Sequence, residues 1–256
     1  MYICVEDVSV NYQQGGSTFE ALKNVSLSIE RGEFICLLGP SGCGKSTLLN
    51  LLAGFEKPAR GRVFIGERQV TAPSPKYLTI FQNYGLFPWR SVLHNVELGL
   101  EAKKMNRKER RQQALKYLDM VGLVQAKDKK PCQLSGGMQQ RVAIARALAA
   151  EPEILFMDEP FGALDAITRM KLQDDILRIC KDGGKTIVFV THDIEEAVFL
   201  ADRIVVMEAN PGSVQGIVKV EMPHERDRTS DDFIVIRDKV FAMMHLKKEK
   251  EVEYYI

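Results

Sequence analysis

Gly39-Pro40-Ser41-Gly42-Cys43-Gly44-Lys45-Ser46-Thr47 lies between a continuously apolar run, residues 34–38, and a helix-like run, residues 48–53. In such a strand, glycine loop and helix, a backbone can wrap an anion. The glycines leave the chain free to turn successive N–H groups inward, and the positive end of the following helix points at the same place. The pattern G-x-x-x-x-G-K-[ST] adds two side chains: Lys45 as a mobile charge over the β- and γ-phosphates, and Ser46 as a hydroxyl ligand for Mg²⁺. The stretch therefore reads as a phosphate-binding loop, with each residue from Gly39 to Thr47 a candidate nucleotide contact.

Upstream, residues 2–12 alternate apolar and polar positions (Ile3, Val5, Val8, Val10), and residues 25–29 do so again before Glu30-Arg31-Gly32. That period of two predicts antiparallel strands. The unbroken apolar run 34–38 instead predicts a strand covered on both faces of a parallel sheet. Downstream, a short strand over 62–65 and a proline-rich connection lead to a strand at 78–81, with Gln82 at its end.

Between Gln82 and Ser135 helical periods replace strands, and Asn106 and Glu109 stand at capping-box spacing ahead of a helix over 107–121. Its basic residues Arg107, Lys108, Arg110 and Arg111 read as a solvated face, with contact to anionic lipid as the alternative. The α/β pattern resumes with strand 154–157, helix 166–181, strand 186–190, helix 194–200 and strand 204–207. Asp193 and Glu196 again have cap spacing. After residue 208 a Pro-Gly turn, short strands and a charged segment at 247–253 are expected.

The expected fold is α/β, a single domain over 1–256 with a P-loop NTPase core built from 1–82 and 153–210. Its sheet is mainly parallel and carries an antiparallel β subdomain. An α-helical subdomain is inserted over 83–152, and 211–256 form a short C-terminal extension.

A net charge of +1 leaves no electrostatic footprint for a nucleic acid, so none is expected as a partner. Cys4, Cys36, Cys43, Cys132 and Cys180 are scattered without a C-x-x-C pair, which argues against a disulfide framework or zinc site and for a reducing compartment. Residues 1–7 lack the basic start and apolar segment of a signal peptide, and no run approaches the roughly 18 apolar residues of a membrane span.

Residues 154–159, Ile-Leu-Phe-Met-Asp-Glu, are an apolar strand ending in two carboxylates. Beside a phosphate loop, Asp158 suits Mg²⁺ held through its hydration shell, and Glu159 suits orientation and deprotonation of a water attacking the γ-phosphorus. In isolation the pair also reads as an N-cap. Leu134-Ser135-Gly136-Gly137-Met138-Gln139-Gln140 opens a long alanine-rich amphipathic stretch, a second helix start with glycines and a hydroxyl. It reads either as a second phosphate-seeking surface or as ordinary capping by Ser135. Two such surfaces on one chain fit nucleotides shared between copies.

The phosphate loop, Gln82, the 134–139 segment, residues 154–159, Ala163-Leu164-Asp165 and Thr191-His192-Asp193 come in the order and spacing of the ATP-binding subunits of ABC transporters. The chain resembles that family over about residues 1–210. The resemblance implies a head-to-tail homodimer sandwiching two ATP molecules with Mg²⁺, each between one copy's phosphate loop and the other's Ser135, Gly136, Gly137 and Gln139. It further implies that Gln82 senses Mg²⁺ and the γ-phosphate, that Asp165 communicates across the dimer, and that His192 contacts the γ-phosphate. Tyr12 matches the aromatic that stacks on adenine, with Phe19 as a competitor because residues are inserted between Tyr12 and Ala21.

A finer resemblance, carried by Phe87-Pro88-Trp89-Arg90, residues 161–166 and residues 191–197, is to ATPases of importers for nitrate, sulfonates, taurine and similar small anions. Some relatives carry thiamin precursors, bicarbonate or aromatic acids. The implied setting is the cytoplasmic face of the cell membrane, with integral membrane permease subunits as partners and, indirectly, an extracytoplasmic solute-binding protein. Phe87, Pro88 and Trp89 read either as a groove for a short permease helix or as subdomain core.

Overall fold

A computed structural model describes residues 1–14, 17–223 and 226–245. The charged segment expected at 247–253 lies outside the described residues.

Two sheets form the scaffold. In the first, β1 (Ile3–Gln14) pairs antiparallel with β2 (Ser17–Ile29) and with β4 (Arg60–Ile65), which in turn pairs with β5 (Arg68–Gln69). The hairpin of β1 and β2 is longer than the apolar alternation indicates, because polar residues such as Ser17, Thr18 and Glu20 extend β2 by cross-strand pairing alone. The second sheet has the order β10-β9-β3-β8-β7-β6: β10 (Ser213–Lys219), β9 (Arg203–Glu208), β3 (Phe34–Leu38), β8 (Thr186–Thr191), β7 (Ile154–Asp158) and β6 (Tyr77–Ile80). From β9 to β6 every pairing is parallel, and β10 closes one edge antiparallel.

Continuous apolar strands need cover on both faces, and they have it. In β3, Ile35 and Leu37 point to a core shared with the antiparallel sheet and α1 (Lys45–Ala53), whereas Phe34, Cys36 and Leu38 point to the opposite core. The same alternation sends Phe156 of β7 to the first core and Leu155 and Met157 to the second. Helix α1 is wedged between the sheets by Leu48, Leu49, Leu51 and Leu52, all buried. Burying four leucines fully contributes roughly 6–12 kcal/mol, a gross figure before ordering entropy.

The inserted region is helical, as expected: α2 (Val92–Gly99), α3 (Arg107–Met120) and α4 (Gly136–Ala149). Asn106 and Glu109 form the reciprocal capping box of α3, and the basic residues of its first turns are mostly exposed. Small buried residues of α4 (Ala143, Ala145, Ala147, Ala149) let α2 approach closely.

Helix α5 (Ala166–Gly183) follows β7, and α6 (Ile194–Leu200) follows β8. Beyond β10 the short strands expected from sequence give way to α7 (Asp231–Met243), capped by Ser230 and packed on α6 and β10 through fully buried Phe233 and Val240. The run Phe233-Ile234-Val235-Ile236 has β-like composition, and the helix is marked instead by Ser230, Asp231 and Asp232 at its start and by burial of the i, i+7 pair Phe233 and Val240. No helix of the described residues is long and apolar enough to cross a membrane.

Candidate active site

The site is assembled at the carboxyl ends of four neighbouring parallel strands, β3, β8, β7 and β6, where an open α/β sheet presents its ligand crevice. Strand β3 delivers the phosphate loop. The turn into α1 is made by Gly44 with φ 90°, a left-handed conformation, and a Cβ there would stand 2.5 Å from Leu22 Cδ2. Both facts demand glycine. Lys45 is buried, and its Nζ donates to the carbonyls of Gly39 at 2.7 Å and Pro40 at 2.8 Å, so the loop's own oxygens hold the ammonium within it. Pro40, Ser41 and Gly42 are exposed, and Thr47 is half-buried. Cys43 differs from these exposed neighbours in the loop. Its side chain is buried in the core beneath α1, and that burial pushes the thiol up, against the pull of Lys45.

Strand β7 ends at Asp158, which accepts a hydrogen bond from Ser46 Oγ at 3.0 Å. Two of the three expected metal-holding residues are therefore adjacent, although 112 positions separate them in the chain. Burial raises the Asp158 carboxyl; the Ser46 bond lowers it, neighbouring Glu159 raises it, and Lys45 lowers it. Gln82, exposed at the end of β6, lines a cleft of about 360 Å³ with Phe81, Asn83 and Asp158. Among the described residues no cluster of three His, Cys, Asp or Glu side chains could enclose a metal. A Ser–Asp pair on an open cleft fits Mg²⁺, which uses few protein ligands and keeps its waters.

Glu159 follows in a left-handed conformation (φ 46°), with its N–H donating to Val190 O at 3.1 Å. This bend turns its carboxylate towards the end of β8, where His192 Nδ1 stands 3.2 Å from Glu159 Oε1. His192 is exposed and so stands outside the core, and the cap of α6 is its neighbour Asp193.

Ser135 is exposed and caps α4, its Oγ accepting from Met138 N at 3.3 Å. The two glycines behind it are needed for close approach. A Cβ on Gly136 would meet Tyr84 Oη at 2.9 Å, and one on Gly137 would meet Ala163 O at 2.9 Å. The glycine tip is thus grouped with the chain after Gln82 and with the 163–165 segment. Gln139 Nε2 donates to Leu134 O at 3.4 Å. Asp165 is exposed and accepts from Thr168 N at 3.0 Å, a bond that holds its carboxyl below the usual range. Tyr12 pairs directly across the hairpin with Phe19, and both rings are exposed. Trp89 is 69% exposed and stands edge-on to Phe87, so its ring is not part of the subdomain core.

Residues that the sequence alone does not single out complete the site. Arg146 of α4 donates to Gly85 O at 2.7 Å and Tyr84 O at 3.2 Å, tying down the chain after Gln82. Glu196 departs from its expected capping role. Asp193 does cap α6, accepting from Glu195 N and Glu196 N, but the Glu196 side chain turns inward to accept from Thr191 Oγ1 at 2.8 Å and Gln173 Nε2 at 3.3 Å. Burial raises its carboxyl. Its capping-box spacing masked this role.

Residues 22–162 match the profile of the ABC transporter family. An uncharacterised ABC transporter ATP-binding protein of Methanocaldococcus jannaschii is 47% identical over 94% of this chain and 90% of its own. A bicarbonate transport ATP-binding protein of Synechococcus elongatus is 48% identical over 89% of this chain, and a nitrate import ATP-binding protein of the same species is 51% identical over 84%. The chain spans only 35% and 33% of those two relatives' lengths. A solved dimeric ATP-binding cassette, in a post-hydrolysis state bound to ADP and Pi, superimposes with a TM-score of 0.80 at 39% identity, covering 86% of this chain and 100% of that one.

Proposed function

We propose that this chain, which belongs to the ABC transporter family, is the ATP-hydrolysing subunit of an importer for a small anion such as nitrate, bicarbonate, a sulfonate or taurine. The observation that carries the ATPase reading is the convergence of Lys45, Ser46, Asp158, Glu159 and His192 at adjacent strand ends. The anion reading is supported by the bicarbonate and nitrate relatives. Thiamin precursors and aromatic acids remain the alternative cargo classes.

In this mechanism the phosphate loop binds the triphosphate of ATP through backbone N–H groups and Lys45. Ser46, Asp158 and Gln82 are the residues that would hold Mg²⁺, which would supply neutralising charge to the triphosphate. Glu159 accepts a hydrogen bond from the attacking water and takes its proton, while His192 beside it contacts the γ-phosphate and fixes the geometry. Tyr12 stacks on adenine. Two copies close over two ATP molecules, each offering Ser135, Gly136, Gly137 and Gln139 to the other's nucleotide, with Asp165 at the seam. The dimeric solved relative supports that arrangement. Phe87, Pro88 and Trp89 receive an integral membrane permease subunit, which places the chain at the cytoplasmic face of the membrane, with a solute-binding protein acting from outside.

The test is reconstitution with the permease in vesicles, measuring ATP hydrolysis and uptake of labelled nitrate, bicarbonate and taurine. ATP-dependent uptake of one of them is the expected result. Hydrolysis that no small anion stimulates would overturn the cargo reading, and absence of hydrolysis would overturn the ATPase reading.

A further inference from the structure

Behind His192 lies a polar cluster that the hydrolytic roles above leave unused. Arg169, on the first turn of α5, is half-buried; its Nη1 lies 3.6 Å from Asp193 Oδ2 and 3.6 Å from Glu196 Oε1, and its Nη2 donates to Leu164 O at 3.2 Å. Glu196 in turn accepts from the Thr191 hydroxyl, and that hydroxyl accepts from Asp193 N at 3.0 Å. Both neighbours of His192 in the chain are therefore fixed by one arginine–glutamate pair. Gln173, fully buried, extends the cluster from Glu196 to Arg228.

Glu159, Gly162, Arg169, Thr191, His192, Asp193 and Glu196 surround a small cavity of about 90 Å³, so the pair sits directly behind the catalytic carboxylate. A carboxylate as buried as Glu196 is costly unless paired and hydrogen-bonded. Only a planar fork such as guanidinium reaches two carboxylates and a carbonyl at once. The same arginine is anchored on Leu164, next to the Ala163 carbonyl against which Gly137 packs.

We propose that Arg169, acting through Glu196 and Asp193, is a positioning residue for the His192 segment. It holds the ring of His192 against Glu159 and makes that placement depend on where residues 163–165 sit. The inference rests on the ATPase reading above. It adds a physical link from the glycine tip of α4, through 163–164 and Arg169, to the histidine.

The test is steady-state phosphate release and nucleotide affinity, with a fluorescent ATP analogue, for wild type, Arg169→Ala, Arg169→Lys, Glu196→Gln and the Arg169→Ala/Glu196→Gln double variant. Misplacement of His192 without loss of the phosphate loop predicts that Arg169→Ala lowers kcat roughly ten- to hundredfold while the KM for ATP and analogue affinity stay within about twofold. Arg169→Lys recovers only part of the rate, because an ammonium cannot span the three acceptors. The double variant falls no further than Arg169→Ala alone, since both substitutions break one linkage.

A wild-type rate in Arg169→Ala, or equal losses of affinity and rate in all variants, would overturn the proposal while leaving the ATPase reading intact. A wild-type chain without phosphate release would overturn both.

Discussion

Glu159 Oε1 and His192 Nδ1 stand 3.2 Å apart, although each belongs to a different strand end and 33 positions separate them in the chain (192 − 159). The contact exists because β7 and β8 are parallel neighbours in register, Asp158 opposite Val190, so the residues that follow each strand leave the sheet side by side. The proposed general base and the group proposed to orient its water are thereby held side by side by the sheet rather than by closeness in the chain.

Replacing Glu159 by Gln keeps the size of the side chain and removes its basicity. ATP binding is expected to persist while the hydrolysis rate falls by at least about a hundredfold. Phosphate release and ATP-dependent dimer formation by size-exclusion chromatography read the two effects separately. A variant with the wild-type rate would refute the role given to Glu159.

Lys45→Ala removes the ammonium that the Gly39 and Pro40 carbonyls hold in the loop. Weaker ATP affinity is expected in equilibrium titration, along with loss of activity. Unchanged affinity would place the triphosphate elsewhere.

Asp158 gives a pH-dependent prediction. Burial raises its folded-state pKa, so the folded chain binds that proton more tightly than the unfolded chain does. The associated stability is fully present below the unfolded value and is lost as pH rises through the folded one. Without nucleotide, Asp158→Asn should therefore melt higher than wild type at neutral pH, with the gap closing towards the acid side. Its Mg²⁺-ATP affinity should fall. A melting difference that widened on acidification would contradict the assignment.

Gly136 and Gly137 are expected to tolerate a methyl group unequally. The obstacle at Gly136 is the hydroxyl of a tyrosine that can swing away, whereas at Gly137 it is the Ala163 backbone. Gly137→Ala should cost about 1–3 kcal/mol in denaturant unfolding, as overpacking does, and Gly136→Ala should cost less. Equal costs would show that the tip relaxes freely.

Ser135→Ala removes the cap of α4 and should cost about 1 kcal/mol. If Ser135 also reaches a second copy's nucleotide, ATP-dependent dimerisation of the Glu159→Gln chain should weaken by more than this stability loss explains. Dimerisation unaffected by the substitution would confine Ser135 to capping.

Much of the architecture was readable one window at a time. The glycine loop, the both-face-apolar strands, the Asn106 cap of α3 and the Asp158-Glu159 pair each encode their geometry within a few residues, through backbone freedom, hydrophobic period or end-group hydrogen bonding. The polar pairs that lengthen β1 and β2, Gln13 with Thr18 and Gln14 with Ser17, and the extent of helix α7 were not, because the pairs are held across the strands and the helix by packing against α6 and β10.

By itself, then, the sequence determined that a phosphate loop, a carboxylate pair, a glycine-tipped helix and a Thr-His-Asp segment occur on an α/β chain, since each is a local pattern with a local physical cause. Only the tertiary structure decided that Ser46 meets Asp158, that His192 meets Glu159, and that Glu196 abandons its cap to join Arg169. Those meetings depend on the strand order β3-β8-β7 and on which polar groups burial leaves needing a partner. Both are properties of the whole fold, set when each strand finds cover on two faces.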